Sequence, residues 1–274
     1  MKFFRDKHVF LTGAGSGMGR EIAILLSDYG AKLALTDWNL SSLEETKAML
    51  KSGAVCYLYH YDVGNYDQAK EYTQKALSDL GHIDILINNA GFALGTIALQ
   101  EVKMEDFRKI VEVNLWGIIY HTQLLLGHLL SRPVANISNT SSIFGLMGVA
   151  KQIPYCTTKF AVRGFTEALR MEMMEHKNLT VSCIHPGGIQ TNIYNNAIHY
   201  ADDNTVQSIR QRFDKATRVS AKDAALVILK GIAAKKKRIM IGYEADLMDG
   251  IARLAPVQYT PIARTIMQQF FGEV

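Results

Sequence analysis

The sequence predicts an α/β fold: a single domain with a doubly wound parallel sheet of about seven strands and helices on both faces. Two observations predict it. Short runs of β-branched and aliphatic residues alternate along the chain with segments of helical spacing, which is typical of a parallel sheet covered on both sides. No stretch rich in Pro, Gly or Ser interrupts this alternation as a linker would, so one domain is favoured over two.

Residues 1–246 are predicted to form the body of this domain, including a polar lid segment at about 191–219 that follows a Pro-Gly-Gly turn. Residues 247–274 are predicted to be an apolar helical extension of the same domain, with an apolar stripe at roughly helical spacing formed by Leu247, Ile251, Leu254, Ile262, Ile266 and Phe270. The predicted strands are Val9 to Thr12, Lys32 to Thr36, Val55 to Tyr61, Ile83 to Ile87, Val134 to Ile137, Thr180 to Ile184 and Arg238 to Ile241.

Composition excludes several classes of protein. Of the 274 residues, 48% are hydrophobic and 20% are charged, a balance that supports a packed core and excludes long disorder. The net charge of +4 falls short of the basic footprint of a nucleic-acid-binding domain. The three cysteines are widely spaced, and the eight histidines have no metal-ligand spacing, so we expect reduced thiols and no metal. With no signal peptide or membrane span in evidence, a cytoplasmic location is expected.

A glycine-rich turn follows the first predicted strand and leads directly into an amphipathic helix. The turn reads Thr-Gly-Ala-Gly-Ser-Gly-Met-Gly from Thr12 to Gly19. Glycine is needed where the backbone turns sharply and approaches a pyrophosphate, and the free N–H groups of the following helix then face the phosphates. By itself the turn is also compatible with an ordinary connection between a strand and a helix.

An acidic residue ends the second predicted strand. Asp37 stands twenty-four residues after Gly13, close to the spacing at which a carboxylate accepts hydrogen bonds from an adenosine ribose. Its charge would repel a 2′-phosphate, and neither Trp38 nor Ser16 offers the positive charge that a phosphate needs. The pattern therefore favours NAD over NADP, although Asp37 as a simple turn or capping residue remains an alternative.

Tyr155 and Lys159 stand four residues apart in a helix-like segment, which places them on one helical face. A tyrosine hydroxyl titrates near 10, and a neighbouring ammonium group favours its ionised form. Such a pair is suited to general acid/base catalysis at an alcohol or carbonyl oxygen, but it also arises by chance in many helices.

The complete set of motifs resembles the short-chain dehydrogenase/reductase family, in order and spacing, from about residue 7 to residue 242. The resemblance implies a Rossmann-type fold, a catalytic domain that binds NAD, and oxidoreductase activity on an alcohol or ketone. The motifs are Thr12 to Gly19, Asn88 to Gly91, Asn114, Ser142 thirteen residues before Tyr155, the Tyr155/Lys159 pair, and Pro186-Gly187 followed by Thr191.

The resemblance also implies a role for each catalytic residue. Tyr155 would be the general acid/base, and Lys159 would lower its pKa and bind the nicotinamide ribose. Ser142 would orient the substrate oxygen, and its neighbour Ser141 is expected to be structural. Asn114 would hold a water that connects Lys159 to solvent.

The implied cofactor contacts extend over most of the chain. Asp62 and Val63 would lie at the adenine, Asn89 to Gly91 beside the cofactor, and Ile189 and Thr191 at the carboxamide. The full predicted cofactor set is Gly13, Ser16, Gly17, Met18, Gly19, Asp37, Asp62, Val63, Asn89, Ala90, Gly91, Tyr155, Lys159, Pro186, Gly187, Ile189 and Thr191.

The segments expected to surround the substrate are mostly apolar and have no arginine cluster. They are residues 92–97, 143–153 and 188–200. A lipophilic secondary alcohol or ketone is therefore the preferred substrate, with a small diol or hydroxyketone as the alternative. The family further implies a homodimer or homotetramer, so the apolar tail is predicted to pack in an oligomer; closing the pocket or touching a membrane surface are the alternatives.

Two other functions compete with this interpretation. A catalytically idle NAD-binding regulator would have no physical need for Asn114, Ser142, Tyr155 and Lys159 together. An enzyme that epimerises or dehydrates nucleotide sugars would need a longer C-terminal substrate domain than this chain provides.

Overall fold

The computed structural model describes residues 1–190, 197–198, 200, 203–217, 219–261 and 264–265. Within them, seven parallel strands form one sheet in the order β3-β2-β1-β4-β5-β6-β9. The strands are β1 (His8–Thr12), β2 (Lys32–Asp37), β3 (Cys56–His60), β4 (Ile85–Asn88), β5 (Ala135–Thr140), β6 (Leu179–Pro186) and β9 (Arg238–Ile241). The predicted doubly wound, single-domain Rossmann-type fold with seven strands is therefore confirmed.

Helices cover both faces of the sheet. One face packs against α1 and α8, and the other against α3, α5 and α6. The helices are α1 (Gly17–Asp28), α2 (Leu40–Ala48), α3 (Tyr66–Leu80), α4 (Met104–Val111), α5 (Gly117–Leu130), α6 (Ile153–Glu172), α7 (Asp203–Ala216), α8 (Ala221–Ala233) and α9 (Tyr243–Leu254).

Local sequence determines where several helices begin. Asn39, Asn65 and Ser220 precede α2, α3 and α8, and each side chain accepts a hydrogen bond from a backbone N–H in the first turn. These polar residues satisfy donors that a helix leaves unpaired at its start. The chain between α4 and α5 continues as a π-helical turn, Glu112–Trp116, which the sequence pattern did not indicate.

A second, two-stranded sheet was also missed. Strand β7 (Ile189–Gln190) pairs in parallel with β8 (Val219–Ser220), and the side-chain amide of Gln190 donates to the carbonyl of Thr217 at 3.0 Å. The pair joins the two ends of the segment 191–218, most of which was predicted to be a lid. Residues 191–196, 199, 201–202 and 218 of that segment lie outside the described residues.

The C-terminal helix packs through a different face from the one that its spacing suggested. Ala245 and Met248 are buried, whereas Leu247 and Leu254, which were predicted on the apolar stripe, are 54% and 90% exposed. Ile251 is partly buried against Met248. Of the described stripe residues, Leu247 and Leu254 are thus directed outward and Ile251 inward, and the tail positions 262–263 and 266–274 lie outside the described residues.

The described part of the chain has neither a membrane-spanning helix nor a cluster of metal-binding side chains. No helix there combines the length and apolar character that crossing a membrane requires. In the same residues, no group of three or more His, Cys, Asp or Glu side chains is arranged to hold a metal ion.

His121, on α5, is buried in its neutral form. Its Nδ1 donates to the carbonyl of Gly117 at 2.6 Å, so Nε2 accepts from the Tyr61 hydroxyl, also at 2.6 Å. Burial lowers the pKa of His121 from 6.5 to about 4. The unfolded chain therefore binds a proton below pH 6.5 that the folded protein binds only near pH 4, and stability is lost as the pH falls through this interval.

We predict that the free energy of unfolding falls between pH 6.5 and 4, with about 3 kcal/mol of the loss due to His121. Urea unfolding at several pH values measures it. The variant His121→Phe should be less stable at neutral pH, because the Tyr61 hydroxyl loses its acceptor, but should show a shallower acid slope. His176→Asn, at an exposed position, is the control; an equal slope in wild type and His121→Phe would contradict the assignment.

Candidate active site

The predicted site residues converge at the carboxyl edge of the sheet, around the point where strand order reverses between β1 and β4. The chain leaves these two neighbouring strands towards opposite faces, which opens a crevice between the loops that follow them. The glycine-rich loop follows β1, and the loop of Asn89, Ala90 and Gly91 follows β4.

The glycines of the first loop are required by close backbone approach. Gly13 has φ +68°, and a Cβ there would lie 2.7 Å from the Cα of Ala90. A Cβ on Gly19 would lie 1.9 Å from the carbonyl oxygen of Gly13. Gly17 begins α1 with φ +52°, and Met18 follows it half-buried. Only glycine fits positions 13 and 19 without displacing the backbone.

The start of α1 keeps its backbone donors available. Ser16 precedes the helix, and its side chain makes no capping hydrogen bond there. The first N–H groups of α1 therefore remain open to an anionic group in the crevice.

Thr12, at the end of β1, connects the two loops. Its hydroxyl accepts from the backbone N–H groups of Asn89 and Ala90, both at 3.0 Å. The Asn89 side chain donates in turn to the carbonyl of Gly13 at 3.1 Å. This contact holds the glycine-rich loop against the loop after β4, and the sequence interpretation assigned Thr12 no such role.

Asp37 ends β2 beside the glycine-rich loop. Its carboxylate accepts from the N–H of Gly15 at 2.8 Å and from that of Asn39 at 3.0 Å. Burial raises the pKa of Asp37, while these backbone hydrogen bonds and the charge of Arg20 lower it. Arg20 was missed by sequence reasoning, although a cation one residue after Gly19 is a usable signal; its guanidinium donates to the carbonyl of Gly15 at 2.6 Å.

Asp62 and Val63 follow β3 on the same edge. The Asp62 carboxylate accepts from the N–H of Gly64 at 2.9 Å and forms an ion pair with Lys109 of α4. Val63 is buried against Gly117, where a Cβ would lie 3.0 Å from a Val63 methyl group. Lys109, forty-seven residues from Asp62, was not identified from the sequence.

Tyr155 and Lys159 lie in the first two turns of α6 and are both buried. The Lys159 ammonium donates to the carbonyl of Thr140 at 3.0 Å and lies 5.4 Å from the centroid of the Tyr155 ring. Ser142 precedes a short 3₁₀ turn, and its hydroxyl accepts from the N–H of Phe144 at 3.2 Å. The Ser141 hydroxyl donates instead to the carbonyl of Lys159 at 2.8 Å, a contact between backbone and side chain that stabilises the loop.

Burial has the largest effect on the charges of this pair. It raises the pKa of Tyr155, which contact with the Ser142 hydroxyl lowers in part, and it lowers the pKa of Lys159 to about 8. The Ser142 hydroxyl, and not Lys159, is the group that lowers the pKa of Tyr155 here, so the expected lowering by Lys159 stays a prediction. Both groups favour their neutral forms more than they would in water.

Asn114 lies in the π-helical turn and is fully buried. Its amide donates to the carbonyl of Phe92 at 2.8 Å and accepts from the N–H of Phe92 at 2.9 Å. A Cβ on Gly91 would lie 3.0 Å from the Asn114 side-chain oxygen and 3.4 Å from Lys159 Nζ. Glycine at position 91 therefore leaves room for the side chains of both Asn114 and Lys159 beside this loop.

The last predicted cofactor residues follow β6. Pro186 ends the strand, Gly187 donates to the carbonyl of Ile241 at 2.9 Å, and Ile189 is buried in β7. Gly188 donates to the carboxylate of Glu244 at 3.2 Å, a partner that the sequence did not indicate. The prediction for Thr191 lies outside the described residues.

This fold and the glycine-rich crevice define a protein of the dinucleotide-binding Rossmann class. The family model for the short chain dehydrogenase matches residues 7–201. A putative oxidoreductase, SadH, of Mycobacterium tuberculosis is 35% identical over 275 residues, covering 99% of each chain. The chain therefore belongs to the short-chain dehydrogenase/reductase family of oxidoreductases, as the sequence motifs predicted.

Solved structures agree in fold. A short-chain dehydrogenase/reductase from Burkholderia phymatum in complex with NAD superposes with a TM-score of 0.82 at 26% identity, covering 97% of each chain. The crystal structure of levodione reductase gives a TM-score of 0.77 at 25% identity, covering 87% of this chain and 95% of that one.

We predict that Gly13→Ala destabilises the protein by at least about 2 kcal/mol more than Gly53→Ala, as expected for overpacking. Both positions have positive φ and so impose similar backbone strain, but only Gly13 faces backbone, since a Cβ on Gly53 meets nothing within 4 Å. Chemical unfolding of the two variants measures the difference. Equal losses of unfolding free energy in the two variants would mean that the contact with Ala90 does not require glycine at position 13.

Proposed function

We propose that this protein is an NAD(H)-dependent oxidoreductase that interconverts an alcohol and a ketone, with a lipophilic secondary alcohol or ketone as substrate. The observation that carries the proposal is the burial of Ser142, Tyr155 and Lys159 together at the carboxyl edge of the sheet. They lie next to the loop of Gly91, which in turn contacts the glycine-rich loop. A dinucleotide bound in the crevice would have its reactive end beside these three side chains.

The residues present fit NAD. Gly13 and Gly19 lie so close to neighbouring backbone that a Cβ at either would displace the loop, and the N-terminus of α1 offers free N–H groups for the pyrophosphate. The Asp37 carboxylate, anchored by two backbone N–H groups, retains lone pairs for a ribose diol and would repel a 2′-phosphate. The bound NAD of the Burkholderia phymatum structure supports the same choice.

When bound, NAD supplies the two-electron redox chemistry at the nicotinamide ring. The side chains of this protein handle the substrate oxygen. Tyr155 donates a proton to it during ketone reduction and removes one during alcohol oxidation. The Ser142 hydroxyl, in contact with the Tyr155 hydroxyl, hydrogen-bonds the same oxygen and fixes its position.

The protonation state of the Tyr155 hydroxyl decides how readily it acts in ketone reduction and in alcohol oxidation. Burial raises its pKa, so the neutral phenol needed for reduction is the stable form at pH 7. Oxidation needs the phenolate, which the Lys159 ammonium, 5.4 Å from the ring centroid, stabilises electrostatically. Asn114 positions the Gly91 loop beside Lys159. We assign Asn114 to the path by which Lys159 exchanges protons with solvent.

The side chains around Tyr155 favour an apolar substrate. Leu94 and Ile97 are buried in one cluster with Tyr155, and Phe92, Phe144 and Tyr200 pack against it. The Phe144 ring meets the Tyr155 ring edge to face at a centroid distance of 6.1 Å. Met147 was also predicted to line the substrate pocket, but it packs against Met248 and does not belong to the apolar cluster around Tyr155.

Activity against alcohols and ketones tests the proposal directly. We expect oxidation of 2-octanol with NAD and reduction of 2-octanone with NADH, read as the rise or fall of NADH absorbance, with a higher kcat/KM than for 2-propanol and acetone. NAD binding without turnover of any alcohol or ketone would favour an idle regulator. A preference for small diols or hydroxyketones would overturn the lipophilic assignment. The homo-oligomer and the cytoplasmic location stay predictions, and light scattering tests the first.

We predict that Tyr155→Phe lowers kcat by about 100-fold or more, because the ring is kept and only the acid/base group is lost. NAD affinity, measured by calorimetry, should change by no more than about fivefold, since the Tyr155 hydroxyl contributes at most one hydrogen bond to the cofactor. Tyr57→Phe, on β3 and partly exposed, is the control and should keep full activity. An active Tyr155→Phe enzyme would remove this residue from the mechanism.

We predict at least about a tenfold preference for NAD over NADP in kcat/KM, because the Asp37 carboxylate faces the ribose. Asp37→Asn should reduce the preference, since the amide oxygen can still accept from Gly15 but no longer repels a phosphate. Calorimetry with NAD and NADP provides a measurement that does not depend on turnover. Equal use of the two cofactors by the wild-type protein would refute the role of Asp37.

A further inference from the structure

Residues beyond the family match at 7–201 reach back to the active site. The helix α9 and the turn after it contact two loops of the active site, one before Tyr155 in the sequence and one after it. One is the loop of residues 143–152, between Ser142 and α6, and the other is the loop of Pro186 to Gly188. We refer to the segment Tyr243 to Tyr259 as the C-terminal brace.

The first contact holds the loop after β6. The Glu244 carboxylate, in the first turn of α9, accepts from the N–H of Gly188 at 3.2 Å. A Cβ on Gly187 or on Gly242 would lie 2.6 Å from the carboxylate oxygen of Glu244 that accepts this hydrogen bond. The absence of two side chains thus gives Glu244 access to the backbone of the loop that we assign to the cofactor.

The second contact holds the loop after Ser142. The Tyr259 hydroxyl accepts from the N–H of Gly148 at 2.9 Å, a contact between residues 111 positions apart. Next to it, the Met147 side chain is completely buried and packs against Met248, Ile251 and Tyr259. One hydrogen bond and one apolar contact therefore fix the middle of a loop that begins at Ser142 and ends next to Tyr155.

The brace itself is firmly attached to the sheet. Asp249 accepts two hydrogen bonds at 2.9 Å from the Arg238 guanidinium of β9, and Arg253 donates to the same carboxylate at 3.0 Å. Ala245, in the first turn of α9, is fully buried. A bidentate arginine–carboxylate pair has a defined geometry, so α9 has a fixed position relative to the strand.

We propose that the C-terminal brace positions both active-site loops, with Tyr259 as the positioning residue for the substrate loop and Glu244 as that for the cofactor loop. The inference rests on the proposed function, because it names what these two loops bind. Neither side chain touches the reacting atoms. Loss of the Tyr259 contact loosens the substrate wall, and loss of the Glu244 contact loosens the cofactor loop, so the two losses affect different binding constants.

Amide hydrogen exchange tests the brace without any turnover. In Tyr259→Phe the Gly148 N–H loses its acceptor, and its exchange should accelerate by about fivefold or more, as expected for one hydrogen bond. Tyr243→Phe changes a tyrosine that is 72% exposed on the same segment and is the matched control. An unchanged rate at Gly148 in Tyr259→Phe overturns the proposal, whatever the activity of the protein.

Steady-state kinetics and calorimetry then separate positioning from general destabilisation. With 2-octanol as the probe, Tyr259→Phe should raise KM by about fivefold with less than a twofold change in kcat, and should leave the Kd for NAD unchanged. Glu244→Ala should raise the Kd for NAD by about fivefold, and Glu244→Gln, whose amide oxygen still accepts from Gly188, should restore it.

Three further results would overturn the inference: equal KM in Tyr259→Phe and wild type, an unchanged Kd for NAD in Glu244→Ala, or failure of Glu244→Gln to restore NAD binding. Absence of any alcohol turnover by the wild-type protein refutes the proposed function instead. The exchange rates at Gly148 and the NAD affinities remain measurable in that case, so the two failures are distinguishable.

Discussion

The hydroxyl of Thr12 is the contact on which the site depends. It accepts two backbone N–H groups from the loop after β4 at the point where strand order reverses. This interaction sets the distance between two loops that come from neighbouring strands but turn to opposite faces of the sheet. The close backbone contacts at Gly13 and the room that Gly91 leaves for Asn114 and Lys159 both follow from that distance.

Burial, more than pairing of opposite charges, determines the electrostatics of the active site and of the buried His121. Removal from water moves Tyr155, Lys159 and His121 towards their neutral forms, and no carboxylate is among the causes that oppose these shifts. A dry site strengthens each remaining electrostatic interaction, because little solvent is left to screen it. A single ammonium group near Tyr155 therefore has more influence there than at the protein surface.

The sequence predicted the elements with strong local signals and missed those that depend on distant partners. Each of the seven apolar runs became a strand of the main sheet, because buried parallel strands need continuous apolar segments. Strands β7 and β8 have two residues each, too few to produce a periodic pattern. Three contacts join residues that lie 47, 56 and 111 positions apart, namely Lys109 with Asp62, Glu244 with Gly188 and Tyr259 with Gly148. Nothing in the local sequence around Lys109, Glu244 or Tyr259 indicates these contacts. In α9, apolar residues occur on two adjacent faces, so spacing alone did not decide that Met248 rather than Leu247 is buried.

The small sheet of β7 and β8 has a consequence for how this protein can diverge. Pairing of Ile189 with Val219 and of Gln190 with Ser220 brings the two ends of the intervening segment together. The entropy cost of closing a flexible loop rises by only about 0.6 kcal/mol for each doubling of its length. Changes of length between these strands should therefore leave the main sheet intact, because the paired ends keep their positions.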